Sequence, residues 1–171
     1  LASLLFFTAI FSLAGCNFAD NEESVYFKKG PAIGLQVEDK TITDVKLQDQ
    51  SRLGIEAADG AIRLSYWDND YLEVTVRKKI KGPASKDKLK SLLDNISFKV
   101  ENLAYEIKLK VEISEDIKPL FRGIADIELK VPGKLKIINI RSGTGKITMT
   151  GFEELNSADF RLDKGNIEIS G

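Results

Sequence analysis

The chain has 171 residues, enough for one domain with a substantial core. Its hydrophobic content of 43%, charged content of 30% and formal net charge of −1 exclude a disordered polyelectrolyte and give no global charge that favours nucleic acid. It has no histidine and one cysteine, which excludes Ser-His-Asp catalysis, an intrachain disulfide and zinc sites built on paired cysteines.

The first predicted element is an apolar run from Leu1 to Leu13, interrupted only by two serines and a threonine. The run is too short for a membrane-spanning helix of about 20 residues and fits a signal-peptide core of roughly 7–15 residues. Leu13-Ala14-Gly15-Cys16 follows, and it resembles the lipobox of bacterial lipoproteins. The resemblance implies that Cys16 is acylated, becomes the first mature residue and anchors the protein to a membrane. The alternative is a buried core cysteine.

These signals divide the chain into three predicted parts. Residues 1–15 are the signal peptide, and we expect the sequence to begin inside it because no methionine or basic segment precedes Leu1. Residues 16–32 are polar, acidic at first and contain Gly30-Pro31, which predicts a tether, although its aromatic residues could instead dock on the domain. Residues 33–171 are predicted to form one β-rich domain.

Strands are predicted where apolar and polar residues alternate with period two. The clearest run has six apolar residues on one face: Leu103, Tyr105, Ile107, Leu109, Val111 and Ile113. The same alternation predicts strands at 72–76 and 124–131, and Pro132-Gly133 then predicts a turn. After the turn, the alternation is predicted to resume at Leu135, Ile137 and Asn139.

One segment has helical spacing instead, and it predicts a single short α-helix at about residues 85–96. Its apolar residues follow the i, i+3, i+4, i+7 pattern: Leu89, Leu92, Leu93 and Ile96. Ser85 is the predicted N-cap, and Asp87 suits the positive first turn.

Three segments share the order glycine, any residue, isoleucine, polar, apolar, serine or threonine, and they begin at Gly60, Gly145 and Gly165. The last two are 20 residues apart and are closed by Gly151 and Gly171. A short strand repeated at such a period predicts the stacked coils of a β-solenoid, with these glycines at the corners. Ordinary hairpin turns are the alternative.

The segment VPGKLKIINIRSGTGKITMTG, residues 131–151, resembles a bacterial domain family of unknown function whose members are proposed adhesins. In that family a valine-proline pair, here Val131-Pro132, leads into a strand and then to Ser-Gly-x-Gly-like corners, here from Ser142. The resemblance covers most of residues 50–171 and implies a β-helix-like domain with a non-catalytic adhesin-like or scaffolding role, binding envelope polymers or proteins. Because coils of that family continue beyond one repeat, we expect more coils after Gly171.

The stretch RSGTGKIT, residues 141–148, superficially matches a phosphate-binding loop. The first glycine that this loop requires would fall on Ile140, and Lys146 is followed by Ile147, which has no hydroxyl for magnesium. A strand pattern also follows instead of a helix. We therefore expect no nucleotide and no cofactor.

The acidic pair Asp68 and Asp70 is interpreted as a polar corner between strands, with Trp67 and Tyr71 packed at its base. A calcium loop is excluded because its sixth and twelfth positions would be Glu73 and Lys79. No metal site is predicted. The alternative function is an enzyme that acts on envelope polysaccharide with these paired carboxylates.

Seven of the fourteen residues from 77 to 90 are basic. Within them Arg77, Lys78, Lys79 and Lys81 form a candidate patch for anionic envelope polymers or lipid headgroups. The alternative is a solvated strand end. Together the signals predict an exported, membrane-anchored lipoprotein of the bacterial cell envelope that is not an enzyme.

Overall fold

A computed structural model of the protein describes residues 34–117 and 120–171. The predicted signal peptide, Cys16 and the tether lie outside these residues, so they stay predictions. The described part contains nine strands: β1 (Leu35–Lys46), β2 (Arg52–Asp59), β3 (Ile62–Trp67), β4 (Tyr71–Gly82), β5 (Ile96–Asn102), β6 (Glu106–Ile113), β7 (Arg122–Pro132), β8 (Ile137–Thr150) and β9 (Ser157–Ser170). Helix α1 (Lys86–Leu92) and the 3-10 turns Leu93–Asn95 and Glu115–Ile117 complete them.

All nine strands belong to one sheet, which curls into a half barrel. The order is β1-β4-β7-β3-β8-β2-β6-β5, and β9 pairs with β8 beside this path. The pairs β1–β4, β4–β7 and β5–β6 are antiparallel, whereas β7–β3, β3–β8, β8–β2, β2–β6 and β8–β9 are parallel. The long strand β8 pairs with β2 through its first half and with β3 through its second half.

Within the parallel part, three layers share one register: β2 followed by β3, then β8, then β9. Arg52 pairs with Ile137 and Ile62 pairs with Ile147, so the first and second layers differ by 85 positions on both sides of the corner. Ile147 pairs in turn with Ile167, and this offset of 20 holds along β8 and β9. Equivalent side chains therefore lie above one another.

Each layer turns at a glycine with positive φ: Gly60 at 148°, Gly145 at 158° and Gly165 at 141°. A Cβ atom on Gly145 would collide with the carbonyl oxygen of Gly60, and one on Gly165 would collide with the carbonyl oxygen of Gly145. The glycines therefore provide both the backbone conformation and the space that close stacking requires. Gly151, with φ 77°, lies in a bend after β8, and Gly171 follows β9.

Hydroxyl groups also connect neighbouring parallel strands. Ser65 Oγ donates to the carbonyl of Leu129 at 3.3 Å, and Thr150 Oγ1 donates to the carbonyl of Leu64 at 3.4 Å. In the first two repeats, the serine or threonine side chain therefore reaches the backbone of a neighbouring parallel strand, β7 or β3.

The core lies on the inner face of the curled sheet. Its largest side chains with less than 2% exposure are Leu53, Ile55, Ile62, Leu64, Leu72, Ile80, Leu89, Ile96, Ile107, Leu109, Ile117 and Ile127. Each such side chain contributes about 1.5–3 kcal/mol by its removal from water, which makes these alternating residues the main source of stability.

Helix α1 begins after Ser85, whose side chain accepts a hydrogen bond from the amide of Lys88 at 3.3 Å. The four apolar residues of the predicted stripe are 9% exposed or less. The α-helical part ends at Leu92, and a 3-10 turn carries the chain to Ile96. Among the described residues, no helix has the length and apolar character that crossing a membrane needs.

The predicted mainly β domain with one short helix is confirmed, but two strand predictions are wrong in part. Leu103 and Tyr105 lie in the turn between β5 and β6, 46% and 72% exposed, because the amide of Leu103 bonds back to the carbonyl of Glu106. After Pro132 the inward residues are Ile138 and Ile140, not Ile137 and Asn139. Leu135 is buried, but it reaches the core from the turn.

The structure is a curled half-barrel sheet, and it does not demonstrate the predicted β-solenoid. Solenoid coils stack in parallel, as the three layers do, whereas β1, β4 and β5 pair in antiparallel with their neighbours. The sheet therefore combines a stacked part with an antiparallel part.

Candidate functional site

The stretch RSGTGKIT lies within β8 and passes through the corner at Gly145. Lys146 Nζ lies 2.6 Å from Glu168 Oε2 on β9, so its ammonium group forms an ion pair across the layers. The stretch is a turning strand that continues on both sides of the corner, which agrees with the exclusion of a phosphate loop.

Asp68 and Asp70 lie in the exposed connection between β3 and β4. Trp67 and Tyr71 pack edge to face at its base with ring centroids 4.7 Å apart, and Trp67 Nε1 donates to the carbonyl of Tyr71 at 2.9 Å. Lys130 Nζ lies 5.1 Å from the centroid of the Trp67 ring. The connection is thus a packed polar corner, as its sequence indicates.

The predicted basic patch is divided between the two faces of β4. Because side chains alternate along a strand, Lys78 lies on the opposite face from Arg77, Lys79 and Lys81. Arg77 Nη2 lies 3.7 Å from Glu128 Oε2, and Lys79 Nζ lies 2.6 Å from Asp126 Oδ2. Acidic side chains of β7 therefore already neutralise part of the patch.

Asp126 accepts a hydrogen bond at each of its two carboxylate oxygens. Burial alone would raise its pKa, but hydrogen bonds from the Ala61 amide and from Lys79, with the positive charges of Lys79 and Arg63, outweigh burial and lower the pKa below its ordinary value. The carboxylate holds the corner of the first layer, because its Oδ1 accepts from the Ala61 amide at 2.9 Å.

A larger surface feature is a groove of about 1120 Å³, which we call the charged groove. Strands β5, β6, β2, β8 and β9 and the two 3-10 turns contribute to it. It is lined by residues 56–58, 94–95, 97, 110–115, 141–143, 161 and 163. It lies across the first halves of the stacked layers, so the register of the layers determines which side chains meet in it.

A row of charged residues crosses five strands at matched positions. Its members in order are Lys99, Lys110, Glu56, Arg141 and Arg161. Neighbouring strands are about 4.8 Å apart, so the row presents charge at a fixed, short spacing. All members of the row except Lys99 line the charged groove.

Most charges of the row have ion-pair partners. Lys110 Nζ lies 2.6 Å from Glu112 Oε1, and this hydrogen bond raises the pKa of Lys110 and lowers the pKa of Glu112. Glu56 pairs with Lys108 at 2.9 Å, and Arg161 pairs with Asp159 at 3.3 Å.

Arg141 differs from these residues. Within residues 34–117 and 120–171, the ion pairs do not include it, although it lies between Glu56 and Arg161 in the row. A guanidinium group offers five donors in a planar arrangement that suits carboxylates and phosphates. Lys99 is likewise outside these ion pairs, but of the two only Arg141 lines the charged groove, which makes it the member of the row best placed to bind an external group.

The charged groove carries both signs. Three bases line it, Lys110, Arg141 and Arg161, together with five acids at positions 56, 94, 112, 115 and 163. Such a surface suits a polar partner with complementary charges and does not suit a simple polyanion. In the described part of the chain, no group of three His, Cys, Asp or Glu residues is placed to hold a metal ion.

The sequence prediction missed the row because its members lie on five different strands. One sequence signal could have identified the last two members of the row. Arg141 and Arg161 are 20 residues apart, the same offset as Gly145 and Gly165. No sequence repeat relates β6 to β2, so the sequence could not predict that Lys110 lies beside Glu56.

No protein-family model matches the chain, and no curated protein matches it. Among solved structures, it is similar to a proposed cell adhesion protein from Clostridium sporogenes, with 15% identity and a TM-score of 0.38, over 77% of this chain and 59% of that one. A proposed lipid-binding protein from Parabacteroides distasonis has 13% identity and a TM-score of 0.33, over 77% and 62% of the two chains. A proposed adhesin from Bacteroides fragilis has 9% identity and a TM-score of 0.28, over 78% and 97%.

The chain therefore spans about 60% of the length of the first two structures. The identities are too low to transfer a function, and the TM-scores are too low to establish a shared fold.

Proposed function

We propose that this protein is an exported, non-catalytic lipoprotein of the bacterial cell envelope whose β domain binds an envelope polymer or protein through the charged groove. The three layers are proposed to be part of a β-solenoid. The observation that carries the proposal is the row from Lys99 to Arg161, in which five strands hold charged side chains at one register.

A row of this kind is suited to binding because strand pairing fixes the spacing between its charged residues. The backbone pairing of β6, β2, β8 and β9 sets the distance between successive charges. A partner with charges at a matching spacing then meets several groups at once, without the entropy cost of ordering a loop. Removal of one or two members should weaken binding without unfolding the sheet, because these side chains face outwards.

The test is sedimentation of the protein with isolated bacterial envelope fragments. The double variant Arg141→Ala/Arg161→Ala should raise the dissociation constant for the fragments about tenfold or more, since each hydrogen bond to a charged group contributes about 1.5–3 kcal/mol and about 1.4 kcal/mol is a factor of ten. The matched control is Arg77→Ala/Lys79→Ala, which also removes two positive charges but from the predicted basic patch. Loss of binding in the control alone would contradict the groove and favour the patch.

The membrane anchor is a separate proposal, which rests on the resemblance of residues 13–16 to a lipobox. Cys16→Ala should move the protein from the membrane fraction to the soluble fraction, because the acyl chains are the proposed anchor. Fractionation followed by immunoblotting measures this. Retention of the variant in the membrane fraction would contradict acylation of Cys16 and leave the groove proposal untouched.

A further inference from the structure

A second pocket lies at the other end of the stacked layers, and we call it the loop pocket. It is formed by the end of β3, the turn after β7 and the loop between β8 and β9, and its volume is about 290 Å³. Ligand pockets usually measure about 300–1,000 Å³, so this one suits a single ring-sized group. Neither the charged groove nor the predicted basic patch includes it.

Two aromatic rings form one wall. Tyr66 and Phe152 meet edge to face, with ring centroids 6.3 Å apart and planes inclined at 79°. Tyr66 remains 45% exposed although it is a large side chain near the core. A Cβ atom on Gly133 would lie 3.1 Å from Tyr66 Cε2, so the absence of a side chain at Gly133 gives the ring its place.

The other walls combine apolar and charged groups. Leu155 is half-buried and adds apolar surface, whereas Leu135 also lines the pocket but is only 1% exposed. Lys136 Nζ lies 3.0 Å from Glu154 Oε2, with the two side chains 34% and 84% exposed. The pair therefore offers both a donor and an acceptor that are open to solvent.

Backbone hydrogen bonds hold the loop pocket in shape. The amides of Asn156 and Ser157 donate to the carbonyl of Lys136 at 2.9 and 3.3 Å. The amide of Gly151 donates to the carbonyl of Ser170 at 3.1 Å. Because both ends of the β8–β9 loop are attached to neighbouring backbone, a ligand would meet walls that already exist, which lowers the entropy cost of binding.

We infer that the loop pocket binds one hexose unit of a glycan. A pyranose ring has an apolar face of C–H groups and a rim of hydroxyls. The C–H face suits the electron-rich face of an aromatic ring, here Tyr66. The hydroxyl rim suits Lys136 and Glu154, which can donate to and accept from neighbouring hydroxyls. A purely apolar occupant would match the rings but would make no hydrogen bond to this charged pair.

The test is a titration of the isotope-labelled full chain, in detergent, with the methyl glycosides of glucose, galactose and N-acetylglucosamine, followed by NMR. One of them should shift the amide signals of Gly133, Leu135 and Phe152 with a dissociation constant of about 1 mM, the scale for a ligand of about twelve non-hydrogen atoms. Tyr66→Ala should weaken binding about tenfold, since a ring contact contributes about 0.5–1.5 kcal/mol beyond buried area.

Two further variants keep the test decisive. Glu154→Gln changes an exposed side chain and should weaken binding about threefold even if Tyr66→Ala fails to fold, because one charged acceptor is lost. Tyr105→Ala removes an aromatic side chain that is 72% exposed in another turn and should leave binding unchanged.

The inference is overturned if none of the three glycosides shifts these signals at ten times the expected dissociation constant, or if Tyr66→Ala binds as the unmodified protein does. It is also overturned if N-acetyl-leucine amide occupies the pocket and the glycosides do not, since that result identifies a protein partner. These outcomes are independent of the envelope-binding assay. If the charged groove alone binds the envelope fragments, the loop pocket variants should bind them as the unmodified protein does.

Discussion

The stacked part and the antiparallel part of the sheet are held together in different ways. In the stacked part, β2 with β3, β8 and β9 repeat one conformation, and glycines and hydroxyls make contact with neighbouring backbone. In the antiparallel part, β1, β4 and β5 follow no common sequence repeat, and buried aliphatic side chains and helix α1 cover the inner face. Both parts bury aliphatic side chains, and the stacked part adds repeated contacts between backbones at its corners.

This difference explains where a binding surface can form. Repetition places side chains of successive layers in line, which is how Arg141 comes to lie beside Arg161. The antiparallel part brings opposite charges together instead, as in Lys79 with Asp126 and Lys130 with Glu73. The stacked part also contains ion pairs, such as Lys146 with Glu168, but its register in addition places Arg141, which the ion pairs of the described residues do not include, in line with Arg161.

The largest expected effect comes from breaking the stack at its corner. Gly145→Ala should destabilise the protein by about 4 kcal/mol or more, because the new Cβ collides with the carbonyl of Gly60 in addition to the strain of positive φ. Chemical denaturation followed by circular dichroism measures the free energy of unfolding.

Gly151→Ala is the matched control. This residue also has positive φ, at 77°, but the nearest atom to its Cβ would be Tyr66 Cβ at 3.6 Å, an ordinary contact. Its cost should be only the left-handed strain of about 1–2 kcal/mol. Equal losses in the two variants would show that close stacking of the glycines contributes nothing.

A smaller effect is expected where the two parts join. Asp126 on β7 accepts from Ala61 in the stacked part and from Lys79 on β4. Asp126→Asn should cost about 1–2 kcal/mol at pH 7, because a charged acceptor is lost from two hydrogen bonds. Asp68→Asn, at an exposed corner, should change the free energy of unfolding by less than about 0.5 kcal/mol.

The loss of stability caused by Asp126→Asn should become smaller as the pH falls. The folded pKa of Asp126 is lowered from its ordinary value of 3.8, so the unfolded chain binds the proton first as the pH falls. The stabilisation is therefore present above that value and disappears as the pH falls through the lowered folded pKa. Denaturation at a series of pH values should show the two proteins converging in acid, and a constant difference would contradict the role of the charge.

The sequence predicts the repeated and periodic features of this fold well. Gly60, Gly145 and Gly165 align in sequence in the same order as they stack. The leucine stripe after Ser85 predicts α1 because helical spacing is a local property. Period two fails at Leu103 and Tyr105, since a turn can continue an alternation without being a strand.

The remaining features depend on contacts between distant residues. The local alternation of apolar and polar residues does not show that β2 pairs with β6, or that β4 pairs with both β1 and β7. The charged groove therefore could not be predicted, although the 20-residue offset connects Arg141 with Arg161. The loop pocket was equally hidden, because Tyr66 and Phe152 come from segments 86 positions apart, 152 minus 66.

The most direct test of the central claim is hydrogen exchange of the full chain with and without isolated bacterial envelope fragments. If the charged groove binds them, amide protection should rise in peptides that cover residues 139–143 of β8 and 159–163 of β9, and it should stay unchanged in β4. A rise confined to residues 71–82, which carry the predicted basic patch, would contradict the account.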